Sequence, residues 1–233
     1  MSSKPSYTAR LIVVVVAVAI LAGMITLFIT GFILKAPYSS TLTSEAASHP
    51  RVANAAGQPE TVIHVEVVGA VGSAIEYPRP DDPHPTWVGY LPTTTFKVPA
   101  NSIVTMVVDQ EDTPSGLRNP VWAKAQGIIG GTFHMTYFDD QGAAQEGDFS
   151  SIDDPANAAH TFAIPDLGVF VPLEGLNANA PANSMNVITF SFRVGKAGVY
   201  RWQCFVPCGS GTIYGNGGPM QTIGYMGGFL VVQ

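Results

Sequence analysis

The sequence predicts an all-β sandwich preceded by a single membrane-spanning helix. Three observations support this: one uncharged apolar run near the N-terminus, many short strand-like segments after it, and no long helical periodicity in the rest of the chain. Short alternating segments separated by turn residues are typical of β-sandwiches. With 233 residues, the chain is long enough for one anchor and one domain with a substantial hydrophobic core.

The membrane-spanning prediction rests on residues 11–34, which include no charged side chain. At about 1.5 Å of rise per residue, a helix of this length crosses a hydrocarbon core of roughly 30 Å. Lys4 and Arg10 precede the run and Lys35 closes it, so the positive-inside bias favours a cytoplasmic N-terminus and a domain outside the cell membrane. The run is too long for the apolar region of an ordinary signal peptide, which favours an uncleaved anchor.

The expected organisation has three parts: a cytoplasmic N-terminus and anchor at 1–35, a linker at 36–60 and an extracytoplasmic domain at 61–233. The linker is rich in Ser, Ala and Thr and shows little periodicity. Within the domain, the stretch 109–158 is long, polar and rich in glycine. Such a stretch in a compact domain predicts an insertion that contacts a partner.

The predicted strands alternate apolar and polar residues or are rich in β-branched and aromatic side chains. They cover 61–69, 95–108 with a turn over 99–102, 131–138, 186–193, and two stretches near 200–204 and 226–233. His64 and His134 lie in such strands. His64 is expected to be structural or exposed, and His134 to be a satisfied strand histidine rather than a ligand. Tyr200 and Trp202 alternate in the last strand but one and are expected to belong to the core.

The chain is acidic and sparsely charged, with 17 Asp and Glu against 11 Lys and Arg, and charged residues make up 12% of it. This composition argues against a nucleic-acid partner, which requires clustered basic side chains. An acidic face suits a basic protein partner, but it is also the usual way for a domain to stay soluble. No nucleophile constellation, phosphate loop or paired-carboxylate motif occurs, and the pairs Asp139–Asp140 and Asp153–Asp154 are expected to be solvated loop acids. We therefore predict no catalytic residues.

A metal site is predicted near the C-terminus. Both cysteines of the chain, Cys204 and Cys208, lie in a loop between the last two predicted strands, and Met226 precedes the final strand. Thiolate, thioether and imidazole form the ligand set that selects copper. His160 is well placed to supply the imidazole, and no histidine follows it in the sequence. The pattern therefore predicts a copper site that lacks one expected ligand.

Two stretches, HTFAIPDLGV at 160–169 and FSFRVGKAGVYRWQCFVPCG at 190–209, closely resemble subunit II of haem–copper terminal oxidases. The resemblance covers 159–233 well, but the anchor and 61–108 only loosely. It implies a membrane anchor and an external cupredoxin-like Greek-key β-sandwich. It also implies a binuclear copper centre, Cu-A, which accepts electrons from cytochrome c or a small copper protein. The implied partners are the catalytic subunit, where oxygen is reduced, and other membrane subunits of the oxidase.

The resemblance assigns a metal-binding role to five residues of this chain. His160 matches the first histidine ligand, and Cys204 and Cys208 match the bridging cysteines at the family's spacing. Val206 occupies the position whose backbone carbonyl binds copper. Met226 matches the methionine ligand.

The second histidine of the family's copper centre has no counterpart here. Counting forward from the second cysteine places Thr212 at that position, and counting back from Met226 places Ile223 there. The loop is also longer than in the family, and its Tyr214 and Met220 are expected to pack within the loop rather than bind metal.

Three states of the site are compatible with the sequence. In the first, the cysteines form a disulfide in a metal-free site, which an extracytoplasmic location permits. In the second, copper binds a modified set of ligands, with an imidazole supplied by His134 or by a partner. In the third, another metal binds. Three functions are considered separately: an electron-transferring, non-catalytic subunit of a respiratory oxidase, a structural subunit that has lost Cu-A, and a free-standing membrane-anchored copper electron carrier or copper-handling protein.

Overall fold

The computed structural model describes residues 7–30, 52–53, 57, 59–208 and 218–233. The chain divides into two units, Met1–Ala36 and Pro37–Gln233. Most of the predicted linker lies outside the described residues. The boundaries at 35/36 and 60/61 therefore stay predictions.

The first unit contains helix α1, Tyr7–Phe28. Its apolar side chains are distributed around the whole helix rather than along one stripe, and every one of its residues is exposed. A helix that is apolar on all sides requires an apolar environment. By length and composition α1 is able to cross a membrane, in agreement with the predicted span.

The described part of the second unit forms twelve strands. In chain order they are β1 Val52–Ala53, β2 Pro59–Val68, β3 Gly89–Leu91, β4 Thr95–Val98, β5 Ile103–Gln110, β6 Phe133–Phe138, β7 Ala144–Phe149, β8 Ala158–Ile164, β9 Val169–Glu174, β10 Asn186–Arg193, β11 Gly198–Gln203 and β12 Gly227–Val232.

These strands form two sheets. The seven-stranded sheet has the order β1-β2-β5-β10-β6-β7, with β3 paired to β2, and the five-stranded sheet has the order β4-β12-β11-β8-β9. Most neighbours are antiparallel, but β2 is parallel to β5 and β4 is parallel to β12. One apolar core joins the inner faces of both sheets. The predicted all-β sandwich with one N-terminal apolar helix is confirmed.

The predicted strand, turn and strand over 95–108 is confirmed, but its two strands belong to different sheets. β4 pairs with β12, whereas β5 pairs with β2 and β10. The turn between them includes Asn101 at φ 53°, a left-handed conformation that asparagine tolerates better than most residues. The Ser102 hydroxyl donates to the Pro99 carbonyl oxygen at 2.6 Å. This turn carries the chain from one layer of the sandwich to the other.

The stretch 109–158, predicted to be an insertion, largely extends the seven-stranded sheet. The strand predicted over 131–138 is confirmed as β6, which pairs with β10. β7, the next strand outward, pairs with β6 and was not predicted. Its residues from Ala144 to Glu146 are all exposed, so β7 lacks the apolar alternation by which strands are recognised. The expected contact of this stretch with a partner stays a prediction.

Aromatic side chains fill the core beside the predicted metal site. Trp202 on β11 is fully buried, and its ring lies 4.7 Å from that of Tyr90 and 5.2 Å from that of Phe162. Its indole N–H donates to the Thr94 carbonyl oxygen at 2.9 Å. The core role predicted for Trp202 is confirmed, whereas Tyr200 is only half-buried and donates its hydroxyl to a loop carbonyl.

We expect Trp202→Ala to lower the free energy of unfolding by about 3–5 kcal/mol, because it leaves a cavity between the sheets. Chemical denaturation of the full-length chain in detergent measures this loss. Val199→Ala is the matched control, since Val199 lies on the same strand and is 66% exposed; its effect should stay within about 0.5 kcal/mol. Equal effects of the two substitutions would contradict the central role of the indole.

A second prediction concerns pH. Burial raises the pKa of Glu174 from 4.5, and the Asp153 carboxylate raises it further, to about 7. As pH rises from 4.5 towards 7, the unfolded chain therefore loses this proton before the folded chain does. The free energy of unfolding should fall by about 3 kcal/mol over this range. Glu174→Gln should remove this decline in the free energy of unfolding, and the exposed control Asp166→Asn should retain it. Chemical denaturation at several pH values measures both. An unchanged decline in Glu174→Gln would show that Glu174 is not its cause.

Candidate metal centre

Strand β8 supplies the imidazole of the predicted site. Every residue of β8 is buried, and His160 is 1% exposed. The pairing of β8 with β9 is interrupted by a register shift between Ala158 and His160. Such bulges redirect side chains near functional sites, and here the ring of His160 lies against the loop that follows β11.

That loop carries both cysteines. Cys204 follows β11 directly, and its backbone N–H donates to the Met226 carbonyl oxygen at 2.9 Å. The Cys208 N–H donates to the Val206 carbonyl oxygen at 2.7 Å, which forms a three-residue turn around Pro207. This turn brings the two sulfur atoms to 3.5 Å from each other. Both cysteines are free, since a disulfide bond measures about 2.05 Å.

The predicted donor atoms converge on one buried point. The Cys204 sulfur lies 4.0 Å from His160 Nδ1 and 3.5 Å from the Val206 carbonyl oxygen. One nitrogen of His160 and the sulfurs of Cys204 and Cys208 all lie within 4.8 Å of one another. Ligand bonds to a metal such as zinc are about 2.0–2.3 Å long, so a single ion fits between these three atoms.

The other predicted ligands are placed differently. Met226 is fully buried and its backbone is bound to Cys204, but a ligand role for its sulfur stays a prediction. Met220 packs against the core, as expected. Ile223 forms an isolated bridge with Gly227, while Thr212 and Tyr214 lie outside the described residues.

His134 does not join this cluster. It lies on β6, where its Nδ1 is 3.0 Å from Asp148 Oδ1 on β7. This confirms its interpretation as a strand histidine with its own partner. Within the described structure, His134 is therefore not the borrowed imidazole.

Sequence reasoning missed one carboxylate of the site. His160 Nε2 lies 3.1 Å from Asp112 Oδ2, and the same carboxyl group accepts a bond from the Thr113 backbone N–H. Asp112 follows β5 of the seven-stranded sheet, whereas His160 belongs to the five-stranded sheet. A histidine ligand usually donates its second ring N–H to such an acceptor, which fixes the tautomer. With Nε2 occupied in this way, Nδ1 is directed to the cysteines.

Hydrogen bonds also surround the Cys204 sulfur. The Thr161 backbone N–H donates to it at 3.4 Å and the Thr161 hydroxyl lies 3.9 Å away. That hydroxyl accepts a bond from the Phe205 N–H at 2.8 Å, and the Thr161 carbonyl accepts one from the Tyr90 hydroxyl at 3.2 Å. Donors around a cysteine sulfur stabilise its thiolate and tune the reduction potential of a bound metal.

The ionisable groups compensate one another. Burial alone raises the pKa of Cys204, but hydrogen bonds from Cys208 and His160 outweigh it and hold this pKa well below its usual value. The bond to Cys204, and then burial, raise the pKa of Cys208 well above its usual value. Burial alone lowers the pKa of His160, but its bonds to Asp112 and Cys204 raise it to about 9. The directions of these shifts favour negative charge on Cys204 and positive charge on His160.

A pocket of about 270 Å³ leads to the cluster. His160, Asp112 and Cys208 line it together with Leu117 and Pro207. The last two side chains are exposed, whereas Cys208 is 7% exposed. The cluster therefore lies just below the surface, where a metal ion is able to reach it.

No protein-family model matches the sequence, and no curated protein sequence matches it. Three solved structures are similar to the chain. The first is a haem–copper terminal oxidase dimer, at 12% identity and a TM-score of 0.30 over 97% of this chain and 98% of that chain.

The second is auracyanin B, at 14% identity and a TM-score of 0.29 over 81% of this chain and 95% of that chain. The third is Fet3p, a multicopper oxidase that functions in iron import, at 14% identity and a TM-score of 0.31 over 79% of this chain and 33% of that chain. At identities and TM-scores this low, the similarity shows neither the family nor the function of this chain.

Proposed function

We propose that this chain is a membrane-anchored copper protein that transfers electrons as a subunit II-like component of a respiratory haem–copper oxidase. The observation that carries this proposal is the buried convergence of His160, Cys204 and Cys208 within 4.8 Å. Thiolate, thioether and imidazole donors together suit copper. The proposed subunit has no catalytic turnover of its own, and oxygen reduction belongs to its partner.

The described residues fit copper with one imidazole rather than two. The donors are His160, Cys204 and Cys208, with the Val206 carbonyl and Met226 as weaker ligands. The other described histidines have partners elsewhere: His64 pairs with Asp109, His84 stacks on Trp87 and His134 pairs with Asp148. Bound copper would supply one-electron redox chemistry, through a centre modified from the binuclear one.

The surrounding chain suits electron transfer because it holds the donors still. Asp112 orients the ring of His160, and the Thr161 N–H fixes the Cys204 sulfur. Trp202, two residues before Cys204, is fully buried in the core. Ligands whose rotamers are set by packing and by outer hydrogen bonds keep their geometry when the charge at the metal changes.

The proposed assembly follows from the rest of the chain. Helix α1 anchors the protein, with the N-terminus in the cytoplasm and the sandwich outside the cell membrane, as the positive-inside bias favours. The excess of acidic residues, 17 against 11 basic, suits a basic donor such as a cytochrome c; a small copper protein is the other donor class. The catalytic subunit and other membrane subunits of the oxidase are the proposed acceptors and neighbours.

The absent second imidazole favours a second candidate function. In it, the copper site has been lost, the cysteines form a disulfide, and the domain serves as a structural subunit of the oxidase. The sulfur atoms are 3.5 Å apart, so only a short movement separates the two thiols from a disulfide. The two candidates differ in whether the reduced protein takes up copper.

The deciding experiment offers copper to the reduced full-length chain in detergent. We expect near-stoichiometric copper, thiolate-to-copper absorption and a copper EPR signal, because three donors already converge. Cys204→Ser should abolish the absorption, whereas His134→Ala, which removes a distant exposed imidazole, should leave it unchanged. No copper uptake and no free thiols in the chain as isolated would support the structural candidate instead. Co-purification with haem from native membranes separates an oxidase subunit from a free-standing carrier.

Asp112→Asn tests how the imidazole is held. Because Asn is a weaker acceptor for the ring N–H, we expect copper affinity to fall by about 10- to 100-fold while the absorption band persists. Competition with a chelator measures the affinity. Asp148→Asn alters the exposed pair of His134 and Asp148 and should leave the copper affinity unchanged. An unchanged copper affinity in Asp112→Asn would show that the hydrogen bond between Asp112 and His160 does not support the ligand.

A further inference from the structure

A second group of metal-binding side chains lies on the outer face of the seven-stranded sheet. Side chains alternate between the two faces of a strand. His64 and Glu66 of β2 therefore share this outer face with Asp109 of β5, whose backbone pairs with Glu66. The inner face of the same strands carries the core residues Val65 and Val108. The group is thus separated from the cysteine site, which lies between β8 and the end of β11.

The segment after β2 folds back over this face. Glu66 is fully buried, and its carboxylate accepts backbone N–H bonds from Ile75 at 2.7 Å, Glu76 at 2.8 Å and Tyr77 at 3.0 Å. Three bonds to one buried carboxylate hold residues 75–77 against the sheet. They place the Glu76 side chain beside His64 and Asp109.

The three side chains converge. One nitrogen of His64 and one carboxylate oxygen each from Glu76 and Asp109 lie within 4.8 Å of one another. His64 Nε2 contacts Asp109 Oδ2 directly. The Asp109 side chain is 6% exposed and that of His64 is 34% exposed, while Glu76 is exposed. The convergence is therefore open to solvent on one side and closed by the sheet on the other.

The charges in this group do not balance. Four carboxyl groups, those of Glu66, Glu76, Asp109 and Glu111, meet a single imidazole. Three backbone N–H bonds stabilise the Glu66 carboxylate. Burial and the neighbouring Glu66 raise the pKa of Glu111 to about 8, so that this carboxyl carries little charge at neutral pH. The charge left to balance is that of Glu76 and Asp109 beside the one imidazole of His64, and a bound cation would balance it.

From this geometry we propose that His64, Glu76 and Asp109 bind one divalent transition-metal ion, with Zn²⁺ as the best match. One imidazole and two carboxylates form a ligand set that zinc uses, and three protein ligands leave a fourth position for water on the exposed side. The triad contains no sulfur, whereas the other site offers two thiolates, which softer metal ions prefer. Bound zinc would tie together β2, β5 and the 75–77 segment.

The outer face of the same sheet provides a matched control. His134 and Asp148 also form a histidine–aspartate pair on neighbouring strands, at 3.0 Å. There the Asp148 side chain is 73% exposed, and no third ligand joins the pair in the metal-binding groups found among the described residues. If a His–Asp pair alone were sufficient, both places would bind zinc equally.

The test titrates zinc into the full-length chain carrying Cys204→Ser and Cys208→Ser, which removes the thiolates of the other site. Calorimetry or chelator competition reports affinity and stoichiometry, and the shift of Tm with zinc reports binding to the folded state. We expect one zinc ion per chain. Glu76→Gln and His64→Gln should each weaken zinc binding at least about tenfold, and should reduce the zinc-dependent rise in Tm.

Glu146→Gln and His134→Gln are the controls and should bind zinc as tightly as their parent. Both Glu76 and Glu146 are exposed, so loss of folding would not explain a difference between their variants. Failure to bind zinc, or equal affinity in all four variants, would overturn the proposal. The copper spectrum of the chain with its cysteines intact is a separate measurement, so failure here is distinguishable from failure of the proposed electron-transfer function.

Discussion

The candidate centre depends on how the end of β11 is held, because both cysteines follow it. Trp202 lies in the aromatic core and donates to the Thr94 carbonyl. Gln203 pairs with Ala163 of β8, and the next residue, Cys204, bonds to the backbone of Met226. These contacts bring the cysteine loop against β8 at the position where His160 lies. The metal-binding geometry is therefore a consequence of sheet pairing and core packing.

The burial of the site requires its charges to be matched. Cys204 is fully buried and His160 nearly so, and an isolated charge on either would be unfavourable. The thiolate, the imidazolium and the Asp112 carboxylate stabilise one another through the contacts at 4.0 and 3.1 Å. A bound metal would take the place of the protons on the imidazole and the thiols. The same groups thus stabilise the folded site and favour the binding of a cation.

The two proposed metal sites differ in chemistry and in position. The site between β8 and the loop after β11 combines sulfur with nitrogen and lies beside the core, which suits a redox metal. The group of His64, Glu76 and Asp109 combines nitrogen with oxygen on the outer face of the other sheet, which suits a redox-inactive ion. The proposed second site would join chain segments, whereas the proposed first site lies at a pocket lined by His160 and Cys208.

The sequence by itself determined the apolar helix, most of the strands and which residues are candidate ligands. An uncharged apolar run and two-residue alternation are local patterns, and local patterns are readable without a fold. The residues His160, Cys204 and Cys208 were recognisable from ligand chemistry and from a family resemblance, and the structure brings these three together. By contrast β7, with its polar and exposed side chains, carried no readable pattern.

Only the tertiary structure decided which distant side chains meet. Asp112 lies 48 positions before His160 and follows a strand of the other sheet, so no spacing rule connects them. His64 and Asp109 are 45 positions apart and meet because β2 and β5 pair in parallel. The role of Glu66 appears only when the 75–77 segment folds back over it. Contacts between layers and across non-sequential strands arise from packing of the whole chain, which local sequence does not encode.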